Sequence, residues 1–177
     1  MRDLSDRLAL GRLGPARTTR LRRWALIVVP LAAILFQVYV PLFVPFLAYL
    51  ELPLLVTVYL ALLRQSPISG MFTGATIGLI QDSLSHQPLG MFGIVKTLVG
   101  YFAASVSMRF DVGLPVLRLL LGFFFFLFHQ VLYWVLVRAL LGQLVPLEVR
   151  QALLVGVLNG VVAVPLFHIL DKLKERQ

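Results

Sequence analysis

Residues 78–90 read GLIQDSLSHQPLG, and this stretch decides how the chain folds. An apolar run carries Asp82 near its end, a short polar gap follows, and a second apolar run begins after Pro88. A connection this short makes the two flanking helices antiparallel neighbours. The stretch therefore predicts a helical hairpin with an acidic residue close to its turn.

The composition around this hairpin indicates a membrane protein. Of the 177 residues, 59% are hydrophobic and 14% are charged, whereas about 25% of the residues in soluble domains are charged. Several stretches approach the roughly 20 apolar residues that span a bilayer. We expect an all-α polytopic membrane protein with a single membrane domain.

Six membrane spans account for the apolar runs and their breaks. The prolines at 41 and 45 separate the first two spans, although a re-entrant segment there would change the count by one. We expect a basic cytoplasmic tail over 1–23, a membrane domain over 24–170 and a second cytoplasmic tail over 171–177. The spans are predicted at about 24–40, 47–63, 68–84, 89–108, 114–141 and 149–170.

The distribution of basic residues sets the predicted orientation. Seven arginines lie within the first 23 positions, whereas the segments predicted to be outside contain only Arg138 and Arg150. Cytoplasmic segments are enriched in Lys and Arg, so both termini are predicted to be cytoplasmic. The net charge of +8 does not indicate nucleic-acid binding, because no aromatic residue precedes Trp24 in the tail. The tail is instead suited to contact anionic membrane lipid.

Glycines recur at helical spacing in the third and sixth predicted spans. Gly70, Gly74 and Gly78 are each four residues apart and lie along one helical stripe, and Gly156 and Gly160 repeat the spacing. Missing side chains let a second helix approach closely. Two interpretations stay open: packing within the protein's own bundle, or docking onto a helix of another protein.

Four ionisable residues lie in or near the predicted hydrocarbon region: Glu51, Asp82, Lys96 and His129. Each charge at the bilayer centre costs at least about 2.5–3.5 kcal/mol. Asp82 and Lys96 flank the hairpin turn, so we expect them to share a polar pocket below the outer surface. The pair either locks the hairpin or forms a cavity for a polar group or a partner's backbone. His129 and Gln130 are expected to form interhelical hydrogen bonds rather than to bind a metal.

Several motifs of enzyme chemistry do not occur in the sequence. The chain has no cysteine, no HExxH, no GxSxG and no phosphate-binding Walker loop. Only Asp82 qualifies as an acid within the membrane, whereas an intramembrane aspartyl protease needs two. We predict no catalytic residues, no metal and no cofactor.

The stretch from Glu51 to Tyr101 resembles the bacterial rod-shape-determining MreD family. An acid opens a span that ends in a base, a glycine-rich span with an aspartate follows, and a Pro-Leu-Gly turn leads into a helix ending in Gly-Tyr. The residues that carry the resemblance are Glu51, YLALLR at 59–64, Gly70, Gly74, Gly78, Asp82, Ser85, Pro88, Leu89, Gly90, Gly100 and Tyr101. Glu51 departs from the pattern, since the family more often has aspartate there.

The resemblance implies a six-helix bundle similar to the substrate-binding subunits of energy-coupling-factor transporters, with a pocket open to the outer side. It also implies a non-enzymatic subunit of the cell-elongation machinery in the bacterial cytoplasmic membrane. The implied partners are MreC, which has a single span, and a wider complex with MreB, RodA and a transpeptidase. The candidate partner or pocket residues are Glu51, Asp82, Ser85, His86, Pro88, Gly90, Lys96 and Tyr101.

A second hypothesis is a substrate-binding membrane subunit of a transporter for a small, vitamin-type molecule. In that case Asp82, Lys96 and His86 would contact the ligand. A channel or lipid-active protein is a third possibility, but the spans have few polar residues to line an aqueous pore.

Overall fold

The computed structural model describes residues 21–85, 88–109 and 112–174, and these residues form six α-helices and no β-strand. The helices are α1 (Ala25–Tyr39), α2 (Leu52–Arg64), α3 (Pro67–Leu84), α4 (Met91–Ser107), α5 (Pro115–Leu141) and α6 (Val149–Asp171). The predictions of an all-α fold and of six helices are confirmed.

Four segments among the described residues are long and apolar enough to cross a membrane: Ala25–Leu42, Pro45–Arg64, Pro115–Leu141 and Val149–Asp171. Helix α4 is apolar but shorter than these, and α3 carries more polar residues. These segments fit a multi-pass membrane protein. Membrane crossing by α3 and α4 as well stays a prediction.

Helix α2 forms the centre of the bundle. Every residue from 53 to 62 is buried, and α2 contacts each of the other five helices. A helix that is apolar on all its faces is stable only when other elements surround it. The remaining helices each keep one face exposed, which suits contact with lipid.

The chain between α1 and α2 differs from the prediction. Two short 3-10 helices, Val40–Leu42 and Pro45–Tyr49, occupy this segment, so α2 begins at Leu52 rather than near residue 47. A proline stands near the start of both 3-10 helices and in the first turn of α2. At these positions proline has no hydrogen bond to lose. Pro30 and Pro165 lie inside α1 and α6, which continue past them.

The two ends of the described chain lie side by side. Leu21 and Lys174 form an isolated antiparallel bridge, and the Arg22 amide donates to the Leu173 carbonyl at 3.4 Å. The described chain therefore begins and ends at the same end of the bundle. The predicted tails extend into residues 1–20 and 175–177, which lie outside the described residues.

A half-buried ionic cluster ties α2, α5 and α6 together at this end. Asp171 accepts a hydrogen bond from the Tyr59 hydroxyl at 2.9 Å and pairs with Arg118 at 2.5 Å and Lys174 at 2.6 Å. Three donors on one carboxylate hold its position firmly. The sequence prediction placed Asp171 only in the cytoplasmic tail and missed this structural role.

Candidate functional site

Asp82 caps the helix that follows it. Its carboxylate is 2% exposed and accepts hydrogen bonds from the amides of Gly90 (3.0 Å), Phe92 (3.1 Å) and Gly93 (3.0 Å) at the start of α4. These amides have no partner within their own helix, and the helix dipole favours a negative charge at this point. Asp82 thus closes the α3–α4 hairpin through the backbone rather than through a side-chain ion pair.

The turn between the helices depends on one glycine. Gly90 has φ +95° and ψ −13°, a backbone conformation that other residues seldom adopt. This conformation aims the Gly90 amide at Asp82. The predicted rim residues lie further out: Ser85 is half-buried and donates to the Gln81 carbonyl, and Pro88 is exposed. His86 lies outside the described residues.

The glycine stripe of α3 is covered by α4. A Cβ at Gly70 would collide with the Gly100 carbonyl, one at Gly74 with the Lys96 carbonyl, and one at Gly78 with the Phe92 carbonyl. The two backbones are therefore in direct contact along the hairpin. Packing within the protein's own bundle describes this stripe, and it leaves no open face there for a helix of another protein.

Lys96 is fully buried behind this contact. Its ammonium lies 4.4 Å from the centroid of the Phe92 ring and has no hydrogen-bond partner among the described residues. It interacts electrostatically with Glu51 and, more weakly, with Asp82. An Asp82–Lys96 ion pair, one of the ways in which the two residues could lock the hairpin, does not form; three backbone amides engage the Asp82 carboxylate instead.

An aromatic stack separates Lys96 from α5. The Phe92 ring stacks on His129 at 5.9 Å and on Tyr133 at 5.2 Å between centroids. His129 is buried, and neither ring nitrogen has a hydrogen-bond partner in the described part of the chain, so the prediction of an interhelical hydrogen bond from His129 is wrong there. Within the described part of the chain, no group of three or more His, Cys, Asp or Glu residues is placed to hold a metal ion.

Asn159 is a fully buried residue of α6 that the sequence prediction overlooked. Its Oδ1 accepts from the Glu51 amide at 2.9 Å, and its Nδ2 donates to the carbonyls of Tyr49 (2.9 Å) and Val155 (3.0 Å). Asn159 thereby fixes the segment before α2 and the position of Glu51. The sequence offered one indication of this role: Asn159 is a polar amide side chain within an apolar span, next to Gly160.

A cavity of about 420 Å³ lies above Glu51. It is formed by α5, α6, the 48–51 segment and the connection between α5 and α6; we call it the α5–α6 cavity. It is lined by Ala48, Tyr49, Glu51, Phe126, Gln130, Tyr133, Trp134, Val137, Gln143, Val145, Pro146, Leu147, Glu148, Gln151, Ala152 and Val155. Oxygen Oε2 of Glu51 is buried and has no hydrogen-bond partner among the residues that the structure describes.

The structure brings together some predicted site residues and separates others. Asp82 and Gly90 are in contact, and Lys96 interacts electrostatically with the carboxylates of Glu51 and Asp82. Tyr101 is 41% exposed on α4 and packs edge-on against Phe102, away from this group. It does not line the α5–α6 cavity.

The glycines of α6 pack differently from those of α3. A Cβ at Gly156 would meet the Phe123 ring at 3.1 Å, and one at Gly160 would meet the Leu119 carbonyl at 2.8 Å. Both glycines face α5, so this pair too serves packing between helices of the same chain.

Comparisons with known proteins identify the family of this fold. The sequence model of the rod shape-determining protein MreD matches residues 18–175, almost the whole chain. The searches of curated proteins and of solved structures each gave no match. The match extends well beyond the 51–101 stretch that carried the resemblance and includes every helix of the bundle. The chain therefore belongs to the MreD family of rod shape-determining proteins.

Proposed function

We propose that this protein is a non-enzymatic membrane subunit of the bacterial cell-elongation machinery that binds MreC and helps to organise the cell-wall synthase. Family membership supports a role in rod-shape determination. The wider complex would contain MreB, RodA and a transpeptidase, in the cytoplasmic membrane. Arg22, Arg23, Lys172 and Lys174 lie near the two ends of the described chain, and these basic residues support a cytoplasmic location for that end of the bundle.

The partner helix needs a docking surface other than the glycine stripe, because α4 already covers that stripe. A groove of about 350 Å³ between α1, α2 and α3 offers one, and we call it the α1–α3 groove. Its lining residues are Leu26, Ile27, Pro30, Leu31, Ile34, Leu60, Arg64, Phe72, Thr73, Thr76, Ile77 and Ile80. This groove is the single observation that carries the proposed mode of binding.

The groove has the chemistry of a surface that receives an apolar helix. Ile27 and Phe72 are each 71% exposed on its sides. The hydroxyls of Thr73 and Thr76 donate to carbonyls of their own helix, so they leave no unsatisfied polar group facing lipid. Behind the groove, the glycine contacts between α3 and α4 hold α3 in place. Van der Waals packing against such a fixed surface is the main source of helix association in membranes.

Disulfide crosslinking tests this surface directly, because the chain has no cysteine of its own. We would introduce Ile27→Cys or Phe72→Cys and co-express MreC with single cysteines at successive positions of its span. The matched control is Leu154→Cys, which is 65% exposed on α6 and does not line the groove. We expect helical-period crosslinks at the groove and none at the control. Equal crosslinking at all three sites, or none in an intact complex, would contradict the proposed surface.

A second candidate function is a substrate-binding subunit of a small-molecule transporter, which the α5–α6 cavity favours. A cavity of this size is in the range that holds small ligands. This candidate predicts saturable uptake when the protein is reconstituted with an ATPase pair. A complex with MreC that forms normally, with no uptake, would decide for the first function.

A further inference from the structure

We propose that residues 40–49, which we call the α1–α2 connection, lie within the hydrocarbon of one leaflet and are covered there by lipid acyl chains. The leaflet is the one farther from the Leu21–Lys174 bridge, which is the outer leaflet in the orientation given above. A connection between two spans would ordinarily lie in water. The proposal does not depend on MreC binding, because it follows from the depth, the backbone and the side chains of this segment.

The α1–α2 connection ends at about half the height of α6. Asn159 bonds the Tyr49 carbonyl and the Glu51 amide, each at 2.9 Å. At about 1.5 Å per residue, Asn159 lies about 18 Å from Asp171 at one end of α6 and about 15 Å from Val149 at the other. Helix α6 is long and apolar enough to cross a membrane, so its midpoint lies near the middle of the bilayer. The two bonds therefore hold the end of the connection deep below the membrane surface.

The length of α1 agrees with this depth. Helix α1 begins beside the last residues of α6, where Leu21 pairs with Lys174. It has 15 residues, about 22 Å, whereas α6 has 23 residues, about 34 Å. The hydrocarbon of a bilayer is about 30 Å thick. Helix α1 therefore ends inside the hydrocarbon, and the connection continues from that point.

The backbone of the connection has partners within the protein, as a segment in hydrocarbon needs. Two 3-10 helices form it, and its prolines at 41 and 45 have no amide to satisfy. The Ala48 carbonyl accepts from the Gln37 side chain at 3.4 Å, and the Tyr49 carbonyl accepts from Asn159. Four amides donate to carbonyls three or four residues earlier at 3.0–3.1 Å: those of Phe43, Val44, Leu47 and Leu50.

The side chains of the connection favour lipid as the partner. Phe43 is 85% exposed, Leu42 is 74% exposed and Phe46 is 60% exposed. Their surface continues the exposed apolar face of α1, and no charged residue or histidine occurs from 24 to 50. A protein partner would be expected to find a polar rim around such a patch. Acyl chains need none, and exposed apolar side chains are most stable among them.

Tryptophan fluorescence measures what covers the segment. The two native tryptophans would be removed as Trp24→Phe and Trp134→Phe, and Phe43→Trp would supply a single probe in the full-length chain. Nanodiscs of phosphatidylcholine brominated on its acyl chains quench from the hydrocarbon, and iodide quenches from water. Val161→Trp is the hydrocarbon standard, because Val161 is 52% exposed on α6 two residues beyond Asn159. Lys172→Trp, exposed at the end of α6, is the water standard.

We expect brominated chains to quench Phe43→Trp as strongly as Val161→Trp, with iodide quenching far below that of Lys172→Trp. Phe46→Trp gives a second probe of the same segment if Phe43→Trp does not fold. Iodide quenching equal to that of Lys172→Trp would place the segment in water and overturn the proposal. Weak quenching by both agents, or loss of acyl-chain quenching when MreC is reconstituted alongside, would assign the surface to protein and overturn it as well.

A pair of charge insertions tests the depth independently. Phe43 and Leu144 are both 85% exposed, so neither substitution removes packing inside the protein. Leu144 lies beyond the end of α5, whose 27 residues, about 40 Å, exceed the hydrocarbon thickness. Phe43→Asp should lower the yield of membrane-integrated protein at least about tenfold, because it places a charge in hydrocarbon. Leu144→Asp should leave the yield nearly unchanged. Equal yields of the two variants would contradict the proposed depth.

Discussion

The two helical pairs of this protein use glycine in different ways. In the α3–α4 pair, backbone meets backbone: Gly74 lies against the Lys96 carbonyl and Gly70 against the Gly100 carbonyl. In the α5–α6 pair the contacts are mixed: Gly156 faces the Phe123 ring, whereas a Cβ at Gly160 would meet the Leu119 carbonyl at 2.8 Å. The first pair has no room left between its helices, whereas the second diverges toward a cavity of about 420 Å³.

The difference shows how one small bundle combines a tightly packed hairpin with an open cavity. The α3–α4 hairpin is short, capped by Asp82 and in direct backbone contact at Gly70, Gly74 and Gly78. The α5–α6 pair has a longer connection and bulky aromatic spacers. Rigid elements position sites more accurately than mobile ones. We infer that the hairpin serves as the fixed frame against which the second pair forms its cavity.

Alanine substitution of one glycine in each pair gives the largest expected contrast. Gly74→Ala places a Cβ against backbone atoms of α4 that cannot move aside, so we expect a loss of at least about 4 kcal/mol, beyond the usual range for overpacking. Gly156→Ala meets a ring at 3.1 Å that can rotate. Its loss should be about 1 kcal/mol or less. Unfolding by dodecyl sulfate in mixed micelles measures both, and similar losses would break the comparison.

The buried cation of the hairpin gives the second contrast. Lys96→Glu would place a third carboxylate near Glu51 and Asp82, and we expect it to cost about 3 kcal/mol or more. Lys96→Met keeps the length of the side chain and its contact with the Phe92 ring, so its loss should be markedly smaller. The yield of monodisperse protein in mild detergent compares the two variants. A yield of Lys96→Met as low as that of Lys96→Glu would show that the positive charge itself is essential.

The hairpin was accessible from the sequence because its determinants are local. The spacing of Gly70, Gly74 and Gly78 defines a helical stripe, and the short gap after Asp82 defines the turn. Both features are set by residues that are close together in the sequence, so they can be predicted without knowing which distant residues they contact. The spacing did not show which helix packs against the stripe; in the structure this is α4 of the same chain.

The cavity and its support were not accessible in the same way. Asn159 contacts the segment before α2 across 108 and 110 positions of sequence. Glu51 approaches Lys96 only because α2 lies at the centre of the bundle. Such contacts depend on the arrangement of whole helices, which periodicity does not determine. For this reason the sequence placed Lys96 near Asp82 but did not reveal its stronger interaction with Glu51.

Removing the Asp82 cap should destabilise the protein less than Gly74→Ala or Lys96→Glu. Asp82→Ala leaves three amides at the start of α4 without their acceptor, and losing a helix cap costs about 2 kcal/mol at most in soluble proteins. We expect a loss near that value. Hydrogen exchange should quicken at Gly90, Phe92 and Gly93. Ser85→Ala is the matched control, since its hydroxyl bonds only the preceding turn of α3. Unchanged exchange at the start of α4 would mean that Asp82 does not hold the hairpin closed.

The turns of the two pairs give the smallest contrast and the most direct test of backbone strain. Gly90 (φ +95°, ψ −13°) and Gly142 (φ +64°, ψ +14°) both have positive φ, and a Cβ at either would meet no atom within 4 Å. Side-chain clashes are thus absent, and only the backbone conformation matters. Gly142 is closer to the left-handed helical region that asparagine tolerates.

We therefore expect Gly90→Asn to cost about 1 kcal/mol and Gly142→Asn only a few tenths of that. The same mixed-micelle unfolding measures both losses. The Gly90 variant should also speed hydrogen exchange at the start of α4, because strain there moves its amide away from Asp82. Equal losses would mean that the α5–α6 connection is held as rigidly as the hairpin turn. In that case the α5–α6 connection, like the α3–α4 hairpin, would be a rigid support of the α5–α6 cavity.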